Sequence, residues 1–335
     1  MIITRTPYRI SLFGGGTDLP SWYTQNSGKV ISLAIDRYCY LTLKTNSEWS
    51  PYKYRITYAL TEIVQNSSEI KHPVVRELFR KFDERTLGLE LHHFSDLPAR
   101  SGIGSSSAFA VGMLHILKVY EGHVVDKYSL AAEAIRLERE ILRESVGDQD
   151  QIACAFGGLN TIEFDHKGWS IQPVQISRSR QNELISYMVL LNTGIMRSSS
   201  EITKNLISNI SAGVSHLERV GELANEALKI LVSNNPISDL GLLLRESWKY
   251  KLLSNPSSGS KTFETILQSA IEAGALGGKL LGAGGGGFML LIVAPQQRKS
   301  VLNALLDNFN NLIEIPFNYD FGGSKCIFDS EGAIT

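Results

Sequence analysis

A run of small and hydroxylic residues, Pro98-Ala99-Arg100-Ser101-Gly102-Ile103-Gly104-Ser105-Ser106-Ser107-Ala108, leads straight into an apolar helical stretch. Such a run can hold an anion. Gly102 and Gly104 let the backbone approach a ligand, Ser105, Ser106 and Ser107 are good caps, and a new helix offers unpaired N–H groups at its positive end. No lysine follows in the place that a Walker A motif requires, so the cations and the base of such a site must come from elsewhere in the chain. The Gly-Lys pair in Gly274-Ala275-Leu276-Gly277-Gly278-Lys279-Leu280 lacks both the Walker spacing and its Ser or Thr, and Lys279 reads as a surface residue. Of the histidines only His92 and His93 are adjacent, and no metal-ligand spacing emerges.

The elements that must hold this loop follow from hydrophobic pattern. Residues 4–13 read as extended, Gly14-Gly15-Gly16 breaks the run, and 30–43 is again apolar and β-rich. Residues 105–120 are apolar nearly all round, with Phe109, Val111, Met113, Leu114, Ile116, Leu117 and Val119, which predicts a buried helix whose N-terminus alone faces a cleft. A second helix is predicted over 127–143, with Leu130, Ala134, Leu137 and Ile141 on one stripe, Glu138 at its border, and Asp126 or Ser129 as cap. Residues 184–191 read as a buried strand opening a second domain, followed by helices over 198–232 and 237–253 and a polar loop over 253–260. A helix running through Ile271 then precedes the run Gly282-Ala283-Gly284-Gly285-Gly286-Gly287 and a strand over 288–293.

The whole chain bounds the function. Its 335 residues suit two domains, 1–183 and 184–335, with a ligand cleft between them. With 33 Lys and Arg against 34 Asp and Glu there is no basic footprint for nucleic acid. No apolar stretch is long enough to span a bilayer and the first residues lack a signal-peptide core, so the expectation is a soluble, cytoplasmic protein. Three widely spaced cysteines, Cys39, Cys154 and Cys326, fit neither a disulfide framework nor a zinc site and read as buried thiols.

The order strand, Gly14-Gly15-Gly16-Thr17-Asp18, then the serine-rich loop before a helix, then Gly282 to Gly287 before a strand, resembles the three signature motifs of the GHMP small-molecule kinases. The resemblance covers nearly the full length and includes the spacing between motifs. It implies an α+β, two-domain fold, with an N-terminal half like ribosomal protein S5 domain 2 and a C-terminal ferredoxin-like sandwich. It also implies ATP and Mg2+, and a small-molecule acceptor with no nucleic acid or membrane partner, in a monomer or homodimer.

By the same resemblance Asp150, within Val146-Gly147-Asp148-Gln149-Asp150-Gln151, is the catalytic base, and Arg9 the cation beside it. Asp148 is expected to point elsewhere, as a turn or capping carboxylate. Glu138 and Ser106 match the magnesium ligands, while Glu133, Glu140 and Glu144 read as solvated charges. Pro98, Arg100, Gly102, Ile103, Gly104, Ser105, Ser106 and Ser107 would cradle the nucleotide phosphates. Gly15, Gly16, Thr17, Asp18, Gly284, Gly285 and Arg197 would bind the acceptor.

Where galactokinases carry an acidic residue and a His, this chain has Gly15 and Gly16, which argues against galactose. The Gly-Gly-Gly-Thr-Asp form, the Gln-Asp-Gln form around Asp150, and Thr193-Gly194-Ile195-Met196-Arg197-Ser198 look most like the branch of heptose 7-phosphate kinases and fucokinases. That likeness implies phosphorylation of an anomeric hydroxyl, of a heptose 7-phosphate first and an unphosphorylated sugar second. A substrate phosphate would need a cationic pocket, for which Arg100, Arg197, Lys204 and Lys29 are candidates, Arg197 foremost because serines follow it. From another class, a nucleotide-dependent sensor without turnover would carry the same fold.

Overall fold

The computed structural model describes residues 1–99, 101–195, 204–205, 207 and 214–330. The strands run, in chain order, β1 (Ile2–Phe13), β2 (Gly28–Thr45), β3 (Tyr54–Thr57), β4 (Thr61–Val64), β5 (Leu89–Ser95), β6 (Leu159–Asp165), β7 (Gly168–Pro173), β8 (Met188–Asn192), β9 (Ala275–Leu280), β10 (Phe288–Val293), β11 (Ile313–Glu314) and β12 (Lys325–Asp329). They form two sheets. The larger has the order β12-β1-β2-β5-β3-β4, with β6 paired onto the first residues of β2 and β7 onto β6, and the smaller has the order β11-β8-β10-β9.

β1 carries the weight of the site, and its sequence explains its place. Its residues are buried from Thr6 to Phe13, which marks a central strand covered on both faces. Pro7 cannot donate to a ladder, and it sits where the β1–β2 register shifts between Pro7 and Tyr8. The long β2 pairs antiparallel with β1 along one edge, and with β5 and β6 in turn along the other.

The helices are α1 (Pro20–Tyr23), α2 (Pro73–Phe79), α3 (Ser105–Tyr120), α4 (Lys127–Arg136), α5 (Gln149–Phe156), α6 (Arg178–Tyr187), α7 (Val214–Val232), α8 (Asp239–Ser254), α9 (Lys261–Glu272) and α10 (Arg298–Asn308). α3 is buried nearly all round, as its composition predicts, and packs on β1 and β2. In the smaller sheet the side chains alternate. Leu190, Leu290 and Ile292 join the main core, whereas Val189, Leu191, Met289, Leu291 and Val293 pack with Trp248, Phe263 and Leu305 in a second cluster.

Several expectations are corrected. The helix expected over 127–143 ends at Arg136, capped by Asp126 through Ser129 N–H at 2.8 Å, and widens into a π-turn over Leu137–Ile141. That turn rotates Ile141 off the buried stripe, leaving it 49% exposed. Arg143, at φ 55°, then stops the helix in a left-handed conformation. The strand expected over 184–191 starts only at Met188, because α6 continues to Tyr187. Of the helix expected over 198–232, residues 204–205, 207 and Val214–Val232 are helical, and 198–203, 206 and 208–213 lie outside the described residues. Cys39 and Cys154 are buried, but Cys326 is only half-buried, because β12 is an edge strand. The division at residue 184 also has an exception: β12 leaves the second half and pairs with β1.

Candidate active site

Arg9, near the middle of β1, is 2% exposed, and its guanidinium meets Asp150 in the first turn of α5. Nε donates to Oδ1 at 2.7 Å and Nη2 to Oδ2 at 2.6 Å, while Nη1 donates to the carbonyl of Gly102 at 2.7 Å. This fork-to-fork pairing fixes the carboxylate in angle as well as position. The backbone adds a tie, since Arg9 N–H donates to Ile103 carbonyl at 3.1 Å. Gly104 turns the chain into α3 at φ 73°, and a Cβ there would press on Arg9 Cγ at 3.2 Å and Asp150 Oδ2 at 3.5 Å. Arg9, Asp150 and the serine-rich loop, far apart in sequence, therefore form one surface.

Ser105, Ser106 and Ser107 are not the caps expected of them. Gly104 holds the N-cap position without a side-chain bond, and the three serines form the first turn itself. Two of them turn toward Glu138, which the π-turn brings beneath α3: Ser106 donates to Oε1 at 3.1 Å and Ser107 to Oε2 at 2.8 Å. Gln151 of α5 donates to Oε2 as well. Glu138 is 0% exposed, and burial pushes its carboxyl up to about 7, against the pull of the Ser107 hydroxyl. Ser106 itself lies at the surface. The two expected magnesium ligands are thus adjacent, and Glu144, expected in solvent, is half-buried near Glu138.

Asp18 is 3% exposed and accepts from Gly16 N–H at 2.8 Å and Gln149 N–H at 3.4 Å. Burial and the neighbouring charge of Asp150 both raise its pKa. Gly147 makes room for it, because a Cβ at that position would overlap Asp18 Oδ2. Thr17, expected on the acceptor, is 0% exposed, and its hydroxyl donates to the carbonyls of Gly14 at 2.8 Å and Lys29 at 3.2 Å. Its role is to close the glycine turn, which leaves it no free face. Asp148 stands at the N-cap position of α5, as a capping carboxylate would, but its side chain makes no capping bond and instead receives Tyr23 Oη at 2.6 Å and Arg139 Nη1 at 2.9 Å. Burial lifts its carboxyl to about 6.

The 282–287 run lies against the serine-rich loop. Phe288 N–H donates to Ser101 carbonyl at 3.0 Å, and a Cβ on Gly282 would stand 2.5 Å from Gly102 Cα. Gly285, expected on the acceptor, is buried with its N–H donated to Ser258 carbonyl at 2.7 Å, while Gly284 is half-buried beside it. Among the proposed phosphate-end cations, Lys29 pairs with Glu163 at 2.8 Å and donates to Asn225 at 2.7 Å. Lys204 is exposed, and Arg100 and Arg197 lie outside the described residues.

One cation was misread in the sequence and a second went unnoticed. Lys279 is no surface residue: it is 6% exposed, its Nζ donates to Leu12 carbonyl at 2.7 Å, and burial holds its pKa well below the usual range. Lys251, in the last turn of α8, donates to Gly282 carbonyl, and burial and then Arg9 lower its pKa to about 8. The available signal was position: Lys279 stands three residues before the glycine run, inside an otherwise uncharged strand.

Residues 69–158 match the family of GHMP kinases N terminal domains and residues 224–311 that of GHMP kinases C terminal domains. The chain is 30% identical to the D-glycero-alpha-D-manno-heptose 7-phosphate kinase of Campylobacter jejuni, over 91% of this chain and 93% of the relative. It is 23% identical to the bifunctional fucokinase/GDP-fucose pyrophosphorylase of Arabidopsis thaliana over 83% of this chain and 28% of that protein. The crystal structure of a D-glycero-D-manno-heptose 1-phosphate kinase from Bacteroides thetaiotaomicron superposes with a TM-score of 0.79 at 22% identity, covering 98% of this chain and 99% of that one. Lactococcus lactis galactokinase in complex with galactose gives a TM-score of 0.74 at 18% identity, covering 97% and 94%.

Proposed function

The chain belongs to the GHMP kinases, sugar kinases among them, and from that premise we propose that it transfers a phosphoryl group from ATP to the anomeric hydroxyl of D-glycero-D-manno-heptose 7-phosphate, giving the 1,7-bisphosphate. The observation that carries this reading is the Arg9-clamped Asp150 at the lip of the 102–107 loop. The named activity of the Campylobacter jejuni relative supports the choice of sugar.

In this reading Asp150 accepts the C1 hydroxyl proton as the oxygen–phosphorus bond forms and the bond to the leaving ADP breaks. Arg9 holds the carboxylate in line and offsets charge on the moving phosphoryl. Backbone N–H groups at the start of α3 receive the nucleotide phosphates, and Asp18 orients the sugar hydroxyls.

The donor set also fits a divalent cation. Glu138 is fully buried and no Lys, Arg or His among the described residues pairs with it, while an accessible hydroxyl, that of Ser106, lies 3.1 Å away. Ser106 and Glu138 would hold Mg2+ as hard oxygen ligands, and the ion would neutralise phosphate charge.

The test is a substrate panel with Mg·ATP, comparing heptose 7-phosphate with fucose, galactose and mannose, and reading products by 31P NMR. The 7-phosphate should give the highest kcat/KM and a 1,7-bisphosphate. No transfer to any sugar overturns the kinase reading. Equal or better use of an unphosphorylated sugar would move the assignment to the second reading, which the Lys29–Glu163 pairing favours by removing one candidate for the 7-phosphate.

A further inference from the structure

The site holds more positive charge than its catalytic pair needs. Arg9 Nη1 rests on the carbonyl of Gly102, Lys251 Nζ on that of Gly282, and these two glycines touch. The charge of Arg9 is answered by Asp150 at 2.6 Å. Lys251 has no carboxylate within ion-pair distance among the described residues; its hydrogen-bond acceptor is a neutral carbonyl, and the Trp248 ring lies 5.6 Å from its ammonium. A lysine ammonium has three protons to donate, and a half-buried one without an anion is costly. The carboxylate whose charge reaches it, Asp18, is itself buried and bonded to Gly16 N–H. Lys279 stands behind with its own amine fixed on Leu12, so it adds repulsion and no partner. What completes this arrangement is an incoming anion at the lip of the 102–107 loop.

We propose that Lys251 is a further catalytic residue, whose ammonium contacts the terminal phosphoryl group of the nucleotide beside Arg9 and supplies the cation that a phosphate-loop lysine provides in other nucleotide-binding folds. The contact rests on the kinase reading above, but it does not depend on which sugar is the acceptor. A group in transit near Asp150 and Arg9 passes within the field of Lys251, and the two cations, which disfavour each other in the free site, both gain from its negative charge. The lysine arrives from the second half of the chain on α8, whereas Arg9 and the loop belong to the first.

The test compares binding of Mg·ATPγS and Mg·ADP by calorimetry, so that only the terminal phosphoryl differs and no sugar is required. Lys251→Met should lose at least tenfold of the preference for Mg·ATPγS, with Mg·ADP affinity nearly unchanged, and Lys251→Arg should restore most of it. In the wild type, the groups facing the amine are Arg9 on β1, Asp18 after β1 and Lys279 on β9. With the amine lowered by burial and Arg9 to about 8, the preference should fall severalfold as pH rises from about 7 to about 10. In Lys251→Arg it should stay flat. A preference kept within twofold in Lys251→Met, or a pH-independent preference in the wild type, overturns the proposal. The wild-type titration decides the matter even if the methionine variant does not fold. Failure of every sugar in the panel, with the ATPγS preference intact, would remove the sugar assignment and leave Lys251 in place.

Discussion

Arg9 grips Asp150 with two nitrogens at 2.6 and 2.7 Å and sends its third to Gly102 at 2.7 Å, so one buried side chain sets both the carboxylate and the turn of the loop. That carboxylate, the proposed base, is thus oriented by a residue 141 positions away in sequence, and the loop is tied to the same strand.

Asp150→Asn keeps the shape and the Nε contact but cannot take a proton. We expect kcat to fall roughly 10²–10⁴-fold, with little change in the KM for ATP. Asp150 also answers the charge of Arg9, which is 2% exposed, so the thermal midpoint should fall as well. Steady-state kinetics beside a melting curve checks both, and unaltered turnover would remove Asp150 from the mechanism.

Arg9→Lys preserves charge and discards the fork. One ammonium cannot reach both carboxylate oxygens and the Gly102 carbonyl in the same geometry. The expected loss in kcat/KM is about 100-fold. A variant within threefold of wild type would show that charge alone suffices.

Gly147→Ala acts on the acceptor side. The added methyl would overlap Asp18 Oδ2, and Gly147 is not in the left-handed region, so its backbone accepts alanine. We expect the acceptor KM to rise about tenfold or more while the KM for ATP holds, as the proposed role of Asp18 in orienting the acceptor requires. An equal rise in both constants would point to general loosening instead.

The acid limb of stability should include His115. It is 6% exposed, lies 2.8 Å from Ser324 Oγ through Nδ1, and burial lowers its pKa from 6.5 to about 4. The unfolded chain therefore binds a proton between those values that the folded chain refuses, and stability falls as pH drops through that window. The contribution is about 2 kcal/mol at pH 5. His115→Gln should narrow the difference in melting temperature between pH 7.5 and pH 5, and an unchanged difference would mean that the imidazole accepts its proton in the folded state.

Much of the site was legible because its parts are local motifs with fixed spacing. The 102–107 loop announces a helix start through its glycines and hydroxyls, and the Gly14–Gly16 break follows a plainly extended run. Glu138 was found at the border of a stripe, although the π-turn that carries it under Ser106 and Ser107 leaves no periodic trace. Thr17 and Gly285 were misread for a common reason: near a glycine turn, the backbone consumes polar groups that a sequence shows as available. Lys251 was missed and Lys279 misread as a surface residue because a lysine on a helix or strand reads as solvated, and only the packing of α8 and β9 against β1 and the 282–287 run buries them.

The pairing of β12 with β1 bears on the order in which the molecule assembles. Ile2 lies opposite Asp329 and Arg5 opposite Lys325, and Ser324 bonds Thr6 at 2.8 Å. Until residues 324–329 have been synthesised, the strand that bears Arg9 keeps an open edge. The closing step is a contact of very long sequence separation, the slow kind. A nascent chain would therefore carry its finished serine-rich loop beside an unsealed sheet, making the docking of β12 on β1, rather than local helix formation, the event that locks the kinase together.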